Sequence, residues 1–109
     1  MENIRITYEW LKSGRKKDVV RYPAGIERLG LSGSEFRVYL YLLQKVGPAD
    51  TAEASYNEMA DYLNLDRKSV MNGIKGLEKR NLLQRFKRET EGGFKEANAY
   101  ALFQAVISE

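Results

Sequence analysis

Residues 55–84 read SYNEMADYLNLDRKSVMNGIKGLEKRNLLQ, and this stretch decides the fold. It predicts two short helices, at 56–63 and 67–80, joined by a tight turn. Asn64 tolerates the left-handed backbone that a sharp turn between helices requires, and Asp66 is placed to cap the second helix. The stretch therefore predicts a compact helix pair.

The second predicted helix separates its side chains by chemistry. At about 100° per residue, Val70, Ile74 and Leu77 define its buried direction. The residues within about 60° of the opposite pole are Lys68, Asn72, Lys75, Gly76 and Lys79. We expect this face to contact an anion.

Charge is concentrated in the same region. Residues 67–88 carry eight Lys and Arg side chains against Glu78 alone, so eight minus one gives a net charge of +7. The whole chain is only +3, which leaves −4 for the remainder. A local basic patch of this kind favours a nucleic-acid backbone over a merely solvated face.

The segment after the helix pair, RFKRETEGGFKEANAYALF at 85–103, predicts a β-hairpin. Gly92 and Gly93 supply the positive φ angles of a tight hairpin turn. The residues expected to point inward are Leu83, Tyr100 and Leu102. The basic residues expected to point outward are Arg85, Lys87, Arg88 and Lys95.

A longer helix is predicted upstream, at about 33–46. Ser32 and Glu35 have the S-x-x-E spacing of a capping box, and Ser55 and Glu58 repeat it before the helix pair. The upstream helix is apolar nearly all round, so it needs two packing partners. We expect one partner to be the helix pair and the other to be the N-terminal segment or a second copy of the protein. The polar loop at 48–55 has room for a very short strand.

The pattern of the N-terminal 31 residues predicts additional secondary structure before the upstream helix. Residues 4–11 alternate as an edge strand, 13–18 form a turn, and 19–22 return as a second strand, followed by a helical turn near 24–29. A second basic cluster consists of Arg15, Lys16, Lys17 and Arg21. This cluster either extends a nucleic-acid footprint or is a solvated turn.

Composition excludes several classes of protein. With 109 residues, 43% hydrophobic, we expect one domain at 1–109. There is no cysteine and no histidine, so disulfides, thiolate or imidazole metal sites and histidine catalysis are impossible. Paired carboxylates and a phosphate-binding glycine loop are also missing, and we expect no enzymatic activity, no metal and no cofactor. No apolar segment is long enough to span a membrane, so we expect a cytoplasmic protein.

The helix pair and hairpin resemble the winged helix-turn-helix family. The resemblance is carried by Ala60, Leu63, Asn64, Leu65, Asp66 and the inward residues of the second helix, together with LEKRNLL at 77–83. It covers about 32–103, and the N-terminal 31 residues depart from the minimal fold. The implied fold class is α+β: a three-helix core with a C-terminal β-hairpin wing and an N-terminal strand or hairpin extension. The resemblance also implies that 67–80 is the recognition helix in a major groove and that the wing, 82–103, touches backbone or minor groove.

Roles can be assigned within the predicted site. Asn72 and Ser69 are the candidates for base-edge contacts, and Arg67 could read guanine. Gly76 costs about 0.8–1 kcal/mol of helix stability relative to alanine, so its presence on the exposed face suggests that something approaches closely there. The full predicted DNA-binding set is Arg67, Lys68, Ser69, Asn72, Lys75, Gly76, Lys79, Arg80, Arg85, Lys87, Arg88 and Lys95.

Three functions remain open at this level. The chain is similar to small bacterial, plasmid or phage transcription regulators, and it is similar to the N-terminal domains of replication initiation proteins. Winged-helix folds also serve as protein docking modules, although such versions usually lose the basic face. We expect sequence-specific binding of double-stranded DNA by a homodimer formed through helix 33–46 or the N-terminal segment, because a single module buries only about 600–1,000 Å² on DNA.

Overall fold

The computed structural model describes residues 3–13, 21–88 and 97–105. The helices are α1 (Tyr8–Ser13), α2 (Gly33–Lys45), α3 (Tyr56–Leu63) and α4 (Arg67–Lys79), with a 3₁₀ turn at Ile26–Arg28. The strands are β1 (Ile4–Arg5), β2 (Ala52–Ala54), β3 (Leu83–Arg88) and β4 (Ala97–Gln104). The predicted α+β class, with α2, α3 and α4 as a three-helix core and a β3–β4 ribbon after it, is confirmed.

Helix α2 begins at a complete capping box. The Ser32 side chain accepts a hydrogen bond from the Glu35 N–H (3.1 Å), and the Glu35 carboxylate accepts one from the Ser32 N–H (2.9 Å). Both apolar sides of α2 are covered, because Val38, Tyr39, Tyr41, Leu42 and Leu43 are all buried. Its neighbours are α4, α3, β2 and β4, so packing within one chain satisfies most of this apolar surface.

The turn between α3 and α4 follows the sequence prediction closely. Asn64 adopts the left-handed conformation with φ of 55° and ends α3. Asp66 then caps α4 by accepting a hydrogen bond from the Ser69 N–H at 2.6 Å. Asn81, also at positive φ (59°), follows the end of α4. The helix pair is thus fixed by short polar residues at each end.

Strand β4 is the common partner of every other strand. It pairs antiparallel with β3 from Leu83 opposite Leu102 to Arg88 opposite Ala97. It also pairs antiparallel with β2 and with β1. Leu82, Leu83, Tyr100 and Leu102 are buried against the helices. The sheet therefore closes one side of the helical core.

The N-terminal prediction is partly wrong. A strand is present, but it covers only Ile4–Arg5, and α1 begins at Tyr8 where the alternating pattern had predicted further strand. Two contacts hold the start of this helix: the Thr7 hydroxyl accepts a hydrogen bond from the Trp10 N–H at 3.3 Å, and the Asp50 carboxylate accepts one from the Tyr8 N–H at 2.7 Å. The predicted return strand at 19–22 is absent at Arg21–Tyr22, and residues 19–20 lie outside the described residues. The predicted Gly92–Gly93 turn of the wing also lies outside the described residues.

Candidate nucleic-acid interface

The outward face of α4 is basic and exposed. Lys68, Asn72, Lys75 and Lys79 are all exposed, whereas Val70, Gly73, Ile74 and Leu77 on the opposite side are buried. Within the described ranges none of these three lysines forms a salt bridge. The predicted division of α4 into an apolar buried side and a basic exposed side is therefore present in the fold. The ammonium groups of the three lysines share the exposed side with the Asn72 amide.

The first turn of α4 combines a cap with two bases. The hydrogen bond from the Ser69 backbone N–H lowers the pKa of the Asp66 carboxyl, and a bond to the Ser69 side chain and the charge of Lys68 lower it further. Asp66 is thus an anionic cap near neutral pH. Ser69 is half-buried and already serves this cap, so its hydroxyl has a structural use that the sequence pattern did not reveal.

Gly76 has a different environment from the one expected. A Cβ built at this position would lie 2.5 Å from Oε2 and 2.7 Å from Cδ of Glu35. The close approach that the glycine permits is therefore made by α2 of the same chain. The sequence predicted a close approach at this glycine but gave no signal that the neighbour is α2, and a contact of Gly76 with DNA stays a prediction.

Arg80 is also turned away from the predicted face. Its Nε donates to Oε2 of Glu35 at 2.8 Å, and its two Nη groups donate to the carbonyls of Leu29 and Gly30 at 3.0 Å each. Glu35 is only 7% exposed and is the one buried charged residue in the described chain. Arg80 therefore holds the end of α4 to the start of α2, and the prediction that it binds phosphate is not supported by this geometry.

Glu35 is ionised because its partners outweigh its surroundings. Burial raises the pKa of the Glu35 carboxyl, but the Ser32 N–H and the Arg80 guanidinium lower it by more, so the net shift is downward. We name Glu35, Arg80 and Gly76 the α2–α4 latch. The capping spacing at 32–35 identified Glu35 as a cap, but no sequence signal linked it to Arg80, which is 45 residues away.

Arg85 lies at the base of the wing, where contacts with α3 and α4 fix its side chain. Its Nη1 donates to the Tyr56 hydroxyl at 2.5 Å, and its Nη2 lies 3.7 Å from the Glu78 carboxylate. Gln84 and Phe86 on the same strand are exposed. The side chains of Lys87 and Arg88, and the whole of Lys95, lie outside the described residues, so their predicted contacts stay predictions.

The second predicted basic cluster is represented only by Arg21. Its guanidinium lies 5.2 Å from the centre of the Trp10 ring and donates to the Trp10 carbonyl and the Ser13 hydroxyl. These contacts tie Arg21 to α1. Arg15, Lys16 and Lys17 lie outside the described residues.

A shallow apolar groove lies beside α2. It has a volume of about 380 Å³ and is lined by Tyr22, Ile26, Glu27, Phe36 and Leu40. In the described parts of the chain there is no cluster of acidic residues that could hold a metal ion. No described helix is long and apolar enough to cross a membrane.

The fold and the basic face of α4 together define a class: a winged helix-turn-helix of the DNA-binding type. A family model described as a helix-turn-helix domain matches residues 29–83, just over half of the chain. The chain therefore belongs to this helix-turn-helix family, and the predicted resemblance is confirmed.

One solved structure is similar in fold. It is described as a possible transcriptional regulator from Methanosarcina mazei Go1, with 21% sequence identity and a TM-score of 0.54. The match covers 70% of this chain and 59% of that one, so the chain spans less than two thirds of its structural relative. No curated protein matches the sequence. At this identity the likeness supports the fold alone.

Proposed function

We propose that the protein is a small transcription regulator that binds double-stranded DNA in a sequence-specific manner, with α4 in the major groove. The observation that carries this proposal is the outward face of α4, where Lys68, Lys75 and Lys79 are exposed around Asn72 and form no salt bridge with the part of the chain that the structure describes. Membership of a helix-turn-helix family and the fold shared with a possible regulator agree with it.

The division of labour follows from chemistry. Asn72 is at the middle of the face, and its amide can pair with N6 and N7 of adenine. Arg67, exposed at the first turn, is placed to read guanine or to bind phosphate. Lys68, Lys75 and Lys79 carry single ammonium groups that neutralise phosphates without reading sequence. The wing would contact the adjacent backbone through its bases.

A homodimer is part of the proposal. One module offers too small a DNA surface for tight operator binding, and two related modules would read half-sites about 10 base pairs apart. The groove beside α2 supports this, because Tyr22 is 54% exposed there and Phe36 and Leu40 are only half-buried. Sedimentation of the protein alone and on DNA tests it: a monomer in both states would exclude the dimer.

Selection of bound duplexes from a random pool tests the function. The expected result is an enriched sequence with two-fold symmetry. On that duplex, Asn72→Ala should lose about 1–3 kcal/mol of binding free energy and relax preference at one base pair. Lys79→Ala is the matched control on the same face and should weaken selected and random duplexes alike. Failure to enrich any sequence, with no binding of random duplex, would reject DNA binding in favour of a docking function.

A further inference from the structure

An aromatic and cationic cluster connects α3, α4 and the wing. The Tyr56 hydroxyl, at the first residue of α3, accepts the hydrogen bond from Arg85 Nη1 at 2.5 Å. The Arg67 guanidinium lies 5.7 Å from the centre of the same tyrosine ring. One side chain therefore gathers an arginine from the recognition helix and an arginine from the wing. We call Tyr56, Arg67 and Arg85 the wing-base cluster.

The cluster keeps free donors on its outer side. Arg67 and Arg85 are both exposed, and Tyr56 is half-buried. Because the Tyr56 oxygen accepts from Arg85, its own O–H remains available to donate. Arg85 has five N–H groups, of which the Tyr56 bond uses one and Glu78, at 3.7 Å, is near a second nitrogen. Two guanidinium groups and one carboxylate leave the cluster with one excess positive charge.

The floor of the cluster is polar as well. Tyr100 lies directly opposite Arg85 in the β3–β4 ladder and is fully buried. Its hydroxyl does not meet strict hydrogen-bond geometry with any described residue, but the Asn98 side chain and the Tyr56 hydroxyl lie close enough to act as its polar partners. Tyr100 therefore lies beneath Tyr56 as a buried polar neighbour and is not itself a candidate phosphate donor.

We propose that the wing-base cluster binds one phosphate of the DNA backbone, with the Tyr56 hydroxyl and the Arg67 and Arg85 guanidinium groups as donors. The proposal rests on DNA binding by α4 and extends it to a residue outside the predicted site. The cluster lies where the first turns of α3 and α4 meet the base of the wing, and a backbone that borders the groove proposed for α4 would come close to this position. Planar guanidinium groups and a phenolic O–H are suited to phosphate oxygens.

Phosphate contacts do not depend on sequence, so the test uses a labelled 25-base-pair duplex of random sequence and fluorescence anisotropy. Tyr56→Phe keeps the ring over which Arg67 lies and removes only the hydroxyl. We expect it to weaken binding about three- to tenfold, the range for one hydrogen bond, with an unchanged salt slope. Arg85→Gln should reduce the slope of log K against log salt by at most about 0.9, because Arg67 stays beside the same phosphate.

The matched controls are Tyr62→Phe and Arg28→Gln. Tyr62 is a tyrosine of the same helix with 65% exposure, and Arg28 is an exposed arginine of the 3₁₀ turn. A double-mutant cycle completes the test: if Tyr56 and Arg85 hold one phosphate, Tyr56→Phe should cost much less in the Arg85→Gln background. Thermal melting of each variant checks that the fold is retained.

The outcomes separate the two proposals. If the wild type binds the duplex but Tyr56→Phe matches Tyr62→Phe, and Arg85→Gln changes the slope no more than Arg28→Gln, the phosphate site is wrong and DNA binding by α4 stands. If the wild type binds neither random nor selected duplex, both proposals are overturned.

Discussion

Replacement of Gly76 by alanine tests how α4 is held against α2. In an isolated helix, replacing glycine by alanine should stabilise the helix by about 0.8–1 kcal/mol. In this fold the new methyl group would lie 2.5 Å from Oε2 and 2.7 Å from Cδ of Glu35, so the carboxylate must move. That carboxylate accepts hydrogen bonds from the Ser32 N–H and from Arg80 Nε.

The expected magnitude follows from what the displaced carboxylate loses. A hydrogen bond to a charged group contributes about 1.5–3 kcal/mol, and a cap about 0.5–2 kcal/mol. Set against the gain in helix propensity, we expect Gly76→Ala to lower the free energy of unfolding by about 1–4 kcal/mol. For a chain of this size the melting temperature should fall by roughly 5–20 °C.

Urea and thermal unfolding followed by circular dichroism provide the assay. Gly33→Ala is the control, because a Cβ there meets no atom within 4 Å. In the Glu35→Ala background the steric conflict is gone, so Gly76→Ala should become stabilising. A change that stabilises the wild-type chain as much as it stabilises the Glu35→Ala variant would refute the packing argument.

Three further outcomes are expected. If Arg67, Lys68, Lys75 and Lys79 each contact one phosphate, the slope of log K against log salt should be about −3.6, and titration between low and moderate salt checks this; a slope near zero would contradict it. The folded-state pKa of Glu35 is lowered from 4.5, so the ionised carboxylate stabilises the fold fully above that pH, and this stabilisation is lost as the pH falls through the folded-state pKa. The melting temperature of the wild-type protein should therefore fall further in acid than that of Glu35→Gln. Equal falls would contradict the latch. Gly73→Ala should destabilise the fold in chemical denaturation, since its Cβ would lie 3.1 Å from the Ser34 backbone oxygen; an unchanged midpoint would show that α2 can shift.

The sequence predicted the helix pair well because its signals are local. Asn64, Asp66 and the apolar spacing at Val70, Ile74 and Leu77 act within a few residues, and the observed bounds of α3 and α4 differ from the predicted ones by at most one residue. The same local logic located the exposed lysines of α4. Capping and periodicity therefore determine both α4 and its outward face.

Most differences between the sequence predictions and the structure come from contacts between residues that are distant in the sequence. Tyr8 begins a helix that is capped by the neighbouring Thr7 hydroxyl and also by Asp50, which lies 42 residues away. Arg80 is held at the start of α2 because Glu35 of that helix and the carbonyls of Leu29 and Gly30 in the preceding loop accept its hydrogen bonds. Tyr56 escaped notice because its importance depends on Arg67 and Arg85, which approach it only after folding. The pattern of a single sequence does not reveal such long-range contacts.

The position of β4 has a consequence for the order of folding. Its partners span nearly the full length of the polypeptide, from Ile4 to Arg88, yet β4 itself ends at Gln104. The helices α2, α3 and α4 contact one another directly, whereas every other described strand finds its partner strand only in β4. We therefore expect the helices to pack first and the wing and the closed side of the core to form together in a later step.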